Sequence, residues 1–338
     1  MHVLIADKFE QAGIERLTAL GCTVWYQPGA GASGLADALR GVPCDVLIVR
    51  SSKVQAAAID AAPNLRAIIR AGAGVDNVDV NAATLRGIGV CNCPGTNSVA
   101  VAELAMGLLI ACDRRIPEQT VAIKAGTWNK KEFSTKSKGL KGSTLLVVGL
   151  GAIGQAVVKR ARAFDMHVIG WDVYLNPAAA AALDVKFAGT DRASLLKILP
   201  EVDAVTVHIA LVPETTRFCN AEFFSLLKPG ATFINTSRGG VVDEAALRDA
   251  AAAKGLRLGL DVYENQPGTP QGEFVTPTVQ VPGGTYTHHC GASTDQAQQA
   301  VSDETVRIVA VLMRSGRLEN CVNQRNLPEL KGSPRPSR

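Results

Sequence analysis

The segment "VVGLGAIGQAVVKRARAFDMHVIGWD", residues 147–172, constrains the fold of this chain more than any other. Gly149, Gly151 and Gly154 form a G-x-G-x-x-G pattern between an apolar run and a helix-like pattern. In such a unit the first glycine permits a tight turn, the second lets the backbone approach a pyrophosphate, and the third allows close helix–strand packing. The helix amino terminus then faces the phosphates. The segment therefore predicts the first βαβ unit of a dinucleotide-binding sheet.

Asp172 ends the next predicted strand, 18 residues after Gly154. An acid at this place accepts hydrogen bonds from the adenosine ribose hydroxyls. The same charge repels the 2′-phosphate of NADP, so the sequence favours NAD as the cofactor. The alternative is a plain glycine turn followed by a surface acid, and the strand–turn–helix context argues against it.

Short apolar runs alternate with helix-like patterns along most of the chain, which indicates parallel sheets covered by helices on both faces. A first series of predicted strands comprises residues 2–6, 45–49, 65–69 and 88–91. A second series comprises residues 143–149, 167–172, 204–209, 232–236 and 256–262. The last predicted helix, 295–314, with Ser293 or Thr294 as its cap, has no place in the second sheet. We expect it to return to the first domain.

Length and composition fit two globular domains. The chain has 338 residues, of which 47% are hydrophobic and 20% charged. A net charge of +4 without clustered basic residues argues against nucleic acid and suits a small anionic substrate.

The eight cysteines are scattered, and no signal peptide is recognisable, so we expect reduced thiols in a cytoplasmic protein. The longest nearly apolar stretch, 99–112, is interrupted by Glu103 and is too short to span a bilayer. We therefore expect no membrane partner, and a helix at a domain or subunit interface.

The segment "THHCGAST", residues 287–294, holds two of the five histidines. On a strand their side chains point to opposite faces, so at most one enters a given pocket. No HxxxH or CxxC pattern accompanies them, and no metal site is predicted. From these residues alone, a catalytic base and a polar loop remain alternatives.

Six segments, taken together and in this order, resemble the motifs of a known family. They are "RAGAGVDNVD" (70–79), "VVGLGAIG" (147–154), "VHIALVPETT" (207–216), "NTSRGGVVDE" (235–244), "GLDVYENQP" (259–267) and "THHCGAST" (287–294). In this order the chain resembles the D-isomer-specific 2-hydroxyacid dehydrogenases over nearly its whole length. The motifs "LIVRSSKV", "GASTDQAQ" and "CVN" favour the members that act on 3-phospho-D-glycerate.

The resemblance implies two doubly wound parallel-sheet α/β domains, with a Rossmann NAD-binding domain inserted into a flavodoxin-like substrate domain. Its implied boundaries are 1–97 for the first segment of the substrate-binding domain, 98–288 for the NAD-binding domain, 289–325 for the returning segment and 326–338 for a flexible tail. It also implies an active site in the cleft and a homodimer formed through the nucleotide domain, with the 99–112 helix at the interface.

The resemblance also assigns catalytic roles. His289 is the base, while His288 stands where the family usually has proline. Arg238 holds the substrate carboxylate and polarises the forming carbonyl. Gln266 stands where the family normally has a glutamate that orients and charges the histidine; formate dehydrogenases also carry glutamine there. Glu264 is a minor alternative for that role.

Further contacts follow from the family positions. The residues implied to contact NAD are Ala73, Gly149, Gly151, Ala152, Ile153, Gly154, Asp172, Ile209, Thr236, Ser237, Arg238, Asp261, His289, Gly291 and Ala292. Asp261 is the residue that receives the nicotinamide carboxamide. The residues implied to contact the substrate are Arg50, Arg70, Ala73, Gly74, Arg238 and His289. The two arginines suit a phosphate group, because the guanidinium fork matches its oxygens.

Three functions are compatible with these residues. The leading hypothesis is NAD-dependent oxidation of 3-phospho-D-glycerate to 3-phosphohydroxypyruvate, the entry to serine synthesis. A second is the oxidation of another D-2-hydroxy acid or of formate. The third, of a different class, is an NAD-sensing binding protein like the family's transcriptional corepressors.

Overall fold

A computed structural model describes residues 1–135, 137–268 and 271–327, with the backbone alone at residues 32 and 33. The chain divides into two compact units: unit 1 comprises Met1–Asn97 and the chain from Thr294 onward, and unit 2 comprises Ser98–Ser293. The second boundary falls five residues later than the predicted 288/289. The reason is that residues 289–291 are hydrogen-bonded to Asp261 of unit 2.

Twelve strands are present in the described residues. They are β1 His2–Ile5, β2 Thr23–Tyr26, β3 Val46–Val49, β4 Ala67–Arg70, β5 Gly89–Asn92, β6 Thr144–Val148, β7 His167–Trp171, β8 Lys186–Phe187, β9 Ala204–Val207, β10 Thr232–Asn235, β11 Arg257–Leu260 and β12 Thr285–Tyr286.

Fourteen α-helices are present in the same part of the chain. They are α1 Gln11–Ala19, α2 Ala30–Ser33, α3 Leu35–Arg40, α4 Ala56–Asp60, α5 Val80–Leu85, α6 Ser98–Arg114, α7 Ile116–Lys124, α8 Lys130–Ser134, α9 Ala152–Ala163, α10 Pro177–Ala182, α11 Arg192–Ile198, α12 Ala221–Ser225, α13 Glu244–Lys254 and α14 Asp295–Ser315. Short 3₁₀ helices lie at Leu199–Glu201, Pro213–Thr215, Gly239–Val241, Pro277–Gln280 and Gln324–Asn326.

Unit 1 is built on a five-stranded parallel sheet in the order β2-β1-β3-β4-β5. This is the doubly wound flavodoxin-like order. Successive side chains of the strands belong to two separate apolar clusters, one on each face of the sheet. Leu4 and Leu47 lie in one cluster, and Val3 and Val46 lie in the other. A sheet buried on both faces explains why these strands are continuous apolar runs.

The last helix, α14, packs against unit 1. Val306, Val309 and Leu312 join the same apolar cluster as Val3 and Val46. Of the two predicted caps, Thr294 caps the helix: its hydroxyl accepts a hydrogen bond from the Ala297 N–H at 3.2 Å. Of the tail expected at 326–338, residues 328–338 lie outside the described residues.

Unit 2 is built on a seven-stranded parallel sheet in the order β12-β11-β10-β9-β6-β7-β8. The chain starts in the middle at β6, winds outward through β7 and β8, then returns to β9 and winds the other way. This is the Rossmann order, and the strand order reverses between β6 and β9. The predicted fold class, two doubly wound parallel-sheet α/β domains, is confirmed.

Three strands were not predicted from the sequence. β2 lies at a sheet edge with mostly exposed side chains, and β8 and β12 are edge strands of two residues each. Such strands have little apolar pattern, because few of their side chains face a core.

Most apolar side chains of helix α6 pack within unit 2, and its predicted place at a domain or subunit interface stays a prediction. Ala102, Ala105, Leu108 and Leu109 are buried within unit 2, where α6 packs on α9, β10 and β11. Val99 of α6 is 49% exposed, and further exposed apolar side chains follow at Ile116, Val121, Ile123 and Trp128. Among the described helices, none has the length and apolarity needed to cross a bilayer.

Asp113, near the end of α6, fixes the turn that precedes β6. It is 6% exposed, and its carboxylate accepts hydrogen bonds from the N–H groups of Lys138 and Gly139, each at 3.0 Å. The Arg257 guanidinium lies 3.6 Å from the same carboxylate. We predict that Asp113→Ala lowers the free energy of unfolding by about 2–4 kcal/mol, because it removes two backbone hydrogen bonds and the carboxylate beside the largely buried Arg257 guanidinium.

Urea denaturation measures this change. Asp37→Ala is the matched control, because Asp37 pairs with Arg40 on the surface, where an ion pair contributes about 0–1 kcal/mol. Equal midpoints for the two variants would show that Asp113 does not hold the turn.

Candidate active site

The glycine turn after β6 has the form that the sequence predicts. Gly149 has φ 93°, and a Cβ there would lie 2.8 Å from the carbonyl group of His208. A Cβ on Gly154 would clash with the Gly149 carbonyl oxygen, so α9 approaches its strand closely. A Cβ on Gly151 would meet nothing within 4 Å. The chain's own packing therefore requires the first and third glycines, whereas the second faces open space, where a pyrophosphate approaches.

This turn lies at the carboxyl end of the sheet, where the strand order reverses between β6 and β9. Open α/β sheets bind ligands at this position. Ala152 and Ile153 form the first turn of α9, so its N–H groups and helix dipole are available to phosphate oxygens. The residues present fit a dinucleotide.

Asp172 is oriented by two backbone N–H groups. Its carboxylate accepts hydrogen bonds from Leu150 at 2.8 Å and Tyr174 at 2.9 Å. A carboxylate has about four lone-pair sites, so acceptor capacity remains for hydroxyl groups. Leu150 belongs to the glycine turn, which places the acid beside the predicted pyrophosphate position.

His208 and Ile209 follow β9. The Thr206 hydroxyl lies 2.9 Å from Nε2 of His208. Burial of the ring lowers the pKa of His208 to about 3, so this histidine stays neutral and supports the strand end. Ile209 packs beside Gly149.

Asn235, which sequence reasoning missed, shapes the turn that carries Thr236, Ser237 and Arg238. Its side-chain oxygen accepts bonds from the Ser237 N–H (3.0 Å) and hydroxyl (2.8 Å), and its NH₂ group donates to the Arg238 carbonyl (3.0 Å). The Thr236 hydroxyl oxygen is buried without a hydrogen-bond partner in the structure, so a ligand group can satisfy it. A polar residue closing an otherwise apolar strand was the available signal.

The Arg238 turn touches the segment that follows β11. A Cβ on Gly239 would clash with the Tyr263 carbonyl, which explains the first glycine of "RGG". Arg238 itself is half-buried, and one NH₂ group donates to the Ser237 carbonyl at 2.8 Å. The close approach therefore brings Arg238 to the same region of unit 2 as the residues after Tyr263.

Asp261 anchors the segment that contains His289. It is 1% exposed, and its carboxylate accepts bonds from the Thr287 hydroxyl (2.6 Å) and from the N–H groups of Cys290 and Gly291 (2.9 Å each). Its backbone carbonyl accepts from the His289 N–H at 2.8 Å. Beside its implied contact to nicotinamide, Asp261 thus fixes the backbone on both sides of the predicted base.

His289 is held in an unusual conformation. Its φ is 52°, in the left-handed region that costs a non-glycine residue about 1 kcal/mol. The Nδ1 atom of the exposed ring lies 2.6 Å from the side-chain nitrogen of Gln266. His288 is exposed as well, and none of the described side chains forms a hydrogen bond with its ring.

The orientation of the Gln266 amide is set by Tyr263. The side-chain oxygen of Gln266 accepts a hydrogen bond from the Tyr263 N–H at 3.2 Å, which leaves the NH₂ group facing His289. An NH₂ group donates, so Nδ1 of His289 accepts and the neutral ring carries its proton on Nε2.

This tautomer matters for the chemistry, because Nε2 is the ring nitrogen that does not face Gln266. A base acting through Nε2 must have that nitrogen free of its proton. For His289 to act in this way, the Gln266 amide would have to turn and give up its bond to Tyr263, at about 1 kcal/mol. A glutamate would accept from both groups and need no such turn.

Glu264 does not replace the family glutamate, and that minor alternative is wrong. Its carboxylate accepts a hydrogen bond from Arg217 at 2.8 Å. Its N–H donates to the Glu244 carboxylate at 2.6 Å. Arg217, not His289, is thus its charge partner.

Glu244 is a further residue that sequence reasoning missed. It is 6% exposed, and its carboxylate also accepts a bond from the Thr278 hydroxyl at 2.6 Å. It therefore fastens the chain just before Gln266 to the start of α13. The acid lay within "NTSRGGVVDE", but nothing in the sequence showed that it would be buried.

In unit 1, Arg50 and Arg70 lie together at the carboxyl ends of β3 and β4. Arg70 donates through Nε to the Arg50 carbonyl at 3.0 Å, and Arg50 donates to the Gln298 side chain at 2.6 Å. Asp7, which was not predicted, accepts bonds from the N–H groups of Arg50, Ser51 and Ser52. This acid after β1 shapes the turn that carries Arg50.

The glycine-rich turn follows β4. Gly72 has φ 149°, and a Cβ there would clash with the Arg70 guanidinium. Ala73 accepts a hydrogen bond from the Asn92 side chain at 2.5 Å, and Ala73 and Gly74 are half-buried. Arg50, Arg70, Ala73 and Gly74 are thus neighbours within unit 1, while the other predicted site residues belong to unit 2.

Comparison with known proteins relates this geometry to a family. The family model of the D-isomer specific 2-hydroxyacid dehydrogenase NAD-binding domain matches residues 106–291. A D-3-phosphoglycerate dehydrogenase of Methanocaldococcus jannaschii is 38% identical over 333 residues, which are 98% of this chain and 61% of that protein. A hydroxypyruvate reductase of Thermotoga maritima is 42% identical over 264 residues, which are 78% of this chain and 82% of that protein.

Among solved structures, the TT0316 protein of Thermus thermophilus superimposes with a TM-score of 0.82 at 32% identity, covering 95% of this chain and all of that one. The chain spans about three fifths of the length of the phosphoglycerate dehydrogenases that it matches. Its glycine turn, Asp172 and sheet order agree with the NAD-binding domain of the matched model. The chain therefore belongs to the D-isomer specific 2-hydroxyacid dehydrogenases and carries their NAD-binding domain at residues 106–291.

Proposed function

We propose that this chain is an NAD-dependent dehydrogenase that oxidises 3-phospho-D-glycerate to 3-phosphohydroxypyruvate, the first step of serine synthesis. The observation that carries the proposal is His289, held by Asp261 and in ring contact with Gln266, in the same unit as the glycine turn and Arg238. Relatives named D-3-phosphoglycerate dehydrogenase, at 36–39% identity over nearly the whole chain, support the substrate.

The residues divide the work of alcohol oxidation. Arg238 binds the substrate carboxylate and stabilises charge on the oxygen that becomes the carbonyl. His289 takes the hydroxyl proton on Nε2 once Gln266 has turned its oxygen toward Nδ1. NAD, when bound at the glycine turn, supplies the acceptor for the hydride from the substrate carbon.

Arg50 and Arg70 are proposed to bind the substrate phosphate. Arg70 donates to the backbone carbonyl of Arg50, so the two arginines are neighbours at the carboxyl end of the unit 1 sheet, and the N–H groups around Ala73 and Gly74 add donors for an anion. The match of this chain to the phosphoglycerate dehydrogenases includes these positions.

One observation favours a second candidate, a substrate that loses hydride without losing a proton, such as formate. Gln266 donates to Nδ1, so the neutral His289 offers Nε2–H as a hydrogen-bond donor rather than a base. The arginine pair in unit 1 argues for the phosphorylated substrate instead.

We further infer a homodimer in the cytoplasm. The exposed apolar side chains of Ile116, Val121, Ile123 and Trp128, in and just after α7, are available for contact with a second subunit. All eight cysteines are free thiols in the structure, which supports a reducing compartment.

Gln266→Glu tests the role of the amide. We expect kcat/KM for oxidation at alkaline pH to rise about fivefold, because glutamate accepts from both Tyr263 and His289 without turning. The added charge raises the pKa of His289, so the acidic limb of oxidation moves to higher pH and reduction extends to higher pH. pH–rate profiles in both directions, with NAD or NADH saturating, measure both effects.

Glu264→Gln is the matched control, since that carboxylate pairs with Arg217 and should leave the profiles unchanged. Superimposable profiles for Gln266→Glu and the unmodified protein would remove residue 266 from the mechanism. A loss of formate oxidation in Gln266→Glu at alkaline pH, without a gain for 3-phospho-D-glycerate, would favour the second candidate, because the glutamate removes the Nε2–H donor.

Replacing Arg50 or Arg70 with Ala tests the phosphate. We expect KM for 3-phospho-D-glycerate to rise about 10–100-fold, because each variant loses one charge-assisted contact to the phosphate. KM for D-glycerate, which has no phosphate, should change little. Gln298→Ala is the control, because it removes the partner of Arg50 but keeps the arginine. Equal effects on the two substrates would show that neither arginine binds phosphate.

Asp172 is expected to set the preference for NAD over NADP. Asp172→Asn keeps an acceptor for the Leu150 N–H and removes the charge, so kcat/KM for NADP should rise at least about tenfold as repulsion is relieved. Asp172→Ala, which also loses the acceptor, should weaken NAD as well. Equal kcat/KM for NAD and NADP in the unmodified protein would contradict the assignment.

A further inference from the structure

Two cysteines of unit 1 face each other across the edge of its sheet. Cys91 lies in the edge strand β5, and Cys321 lies after α14, in a segment that pairs with β5 in antiparallel orientation. Cys91 is fully buried, whereas Cys321 is half-buried. Neither thiol is used in the proposed reaction.

The backbone geometry of this pair suits a disulfide. Hydrogen bonds flank the two residues, from the Asn92 N–H to the Asn320 carbonyl (3.2 Å) and from the Val322 N–H to the Val90 carbonyl (2.8 Å). Antiparallel residues flanked in this way are non-hydrogen-bonded partners, whose Cα atoms lie about 4.5 Å apart. Disulfides span Cα distances of about 4.4–6.8 Å.

Asn323 holds the two segments together without any covalent bond. It is 4% exposed; its side-chain oxygen accepts from the Val90 N–H at 2.8 Å, and its NH₂ group donates to the Ile88 carbonyl at 2.9 Å. The reduced chain therefore already places Cys321 against β5, and little further ordering is needed to join the sulfurs.

The two thiols differ in reactivity. Interaction with Cys91, together with the N–H groups of Asn323 and Val90, lowers the pKa of the Cys321 thiol below its usual value. The same interaction and burial raise the pKa of the Cys91 thiol. Cys321 is thus both the more accessible thiol and the one with more thiolate, which are the properties of an attacking cysteine.

We propose that Cys91 and Cys321 are a dithiol modification site that forms a reversible intramolecular disulfide on reaction with a low-molecular-mass disulfide. The Cys321 thiolate attacks one sulfur of the small disulfide, forms a mixed disulfide and releases the first small thiolate. Cys91 then loses its proton, attacks Sγ of Cys321 and releases the second small thiol. Two protein thiols are oxidised to one disulfide, and the small disulfide is reduced to two thiols.

The bond closes a loop of about 230 residues, so it restricts the unfolded chain strongly. It also ties the segment after α14 to β5, whose Asn92 supports the glycine-rich turn at Ala73. Oxidation therefore stabilises unit 1 against unfolding.

The test exposes the reduced full chain to oxidised glutathione and counts thiols after denaturation. We expect two of the eight thiols to be joined, and the tryptic peptide that contains Cys321 to be linked to the peptide that contains Cys91. The Tm should rise by about 2–5 °C and return to its original value after dithiothreitol. Any adduct on the exposed Cys290 is mapped separately on its own peptide.

The tryptic peptide that contains Cys91 also contains Cys93 and Cys112, so variants are needed to identify which cysteine forms the crosslink. The same variants show which thiol reacts first. Cys91→Ser should accumulate the glutathione adduct on Cys321, and Cys321→Ser should give neither crosslink nor adduct at residue 91. Cys93→Ser, which changes a buried cysteine just after β5, should still form the crosslink. An unchanged thiol count, or a crosslink that survives in Cys91→Ser or disappears in Cys93→Ser, would overturn the proposal.

Discussion

The buried carboxylate of Asp261 is the interaction on which the site in unit 2 depends. It sits at the end of β11 and takes three hydrogen bonds from the segment 287–291, while its backbone carbonyl takes a fourth from His289. A buried charge is stable only when it is satisfied in this way. The same bonds compensate the left-handed conformation of His289, so the strand end, the segment and the base are one rigid arrangement.

Around this anchor, the choice between an amide and a carboxylate at position 266 sets which nitrogen of the neutral His289 ring carries the proton. Gln266 accepts from Tyr263 and donates to His289, so the amide dipole selects the ring tautomer. A carboxylate accepts at both ends and would select the other one. The tautomer of the candidate base thus depends on one backbone N–H, that of Tyr263, whose bond to Gln266 the motif "GLDVYENQP" does not reveal.

The sequence predicted much of the fold and the cofactor site, because those parts rest on local patterns. Continuous apolar runs predicted the strands that are buried on both faces. The short edge strands β2, β8 and β12 were not predicted, because few of their side chains face a core. The apolar stretch 99–112 was predicted to be an interface helix, and most of its apolar side chains pack inside unit 2. Hydrophobicity alone does not distinguish burial within a domain from burial against another subunit.

By itself, the sequence determined the doubly wound α/β class and the glycine turn with its acid, since each depends on residues close together in the chain; His289 became the candidate base only through the resemblance to the family. The tertiary structure decided that Glu264 pairs with Arg217 instead of His289, that Glu244 and Asn235 are buried supports, and that Cys91 meets Cys321. These outcomes join residues from 3 to 230 positions apart, and the partner of a polar side chain is set by which strand ends and turns the fold brings together.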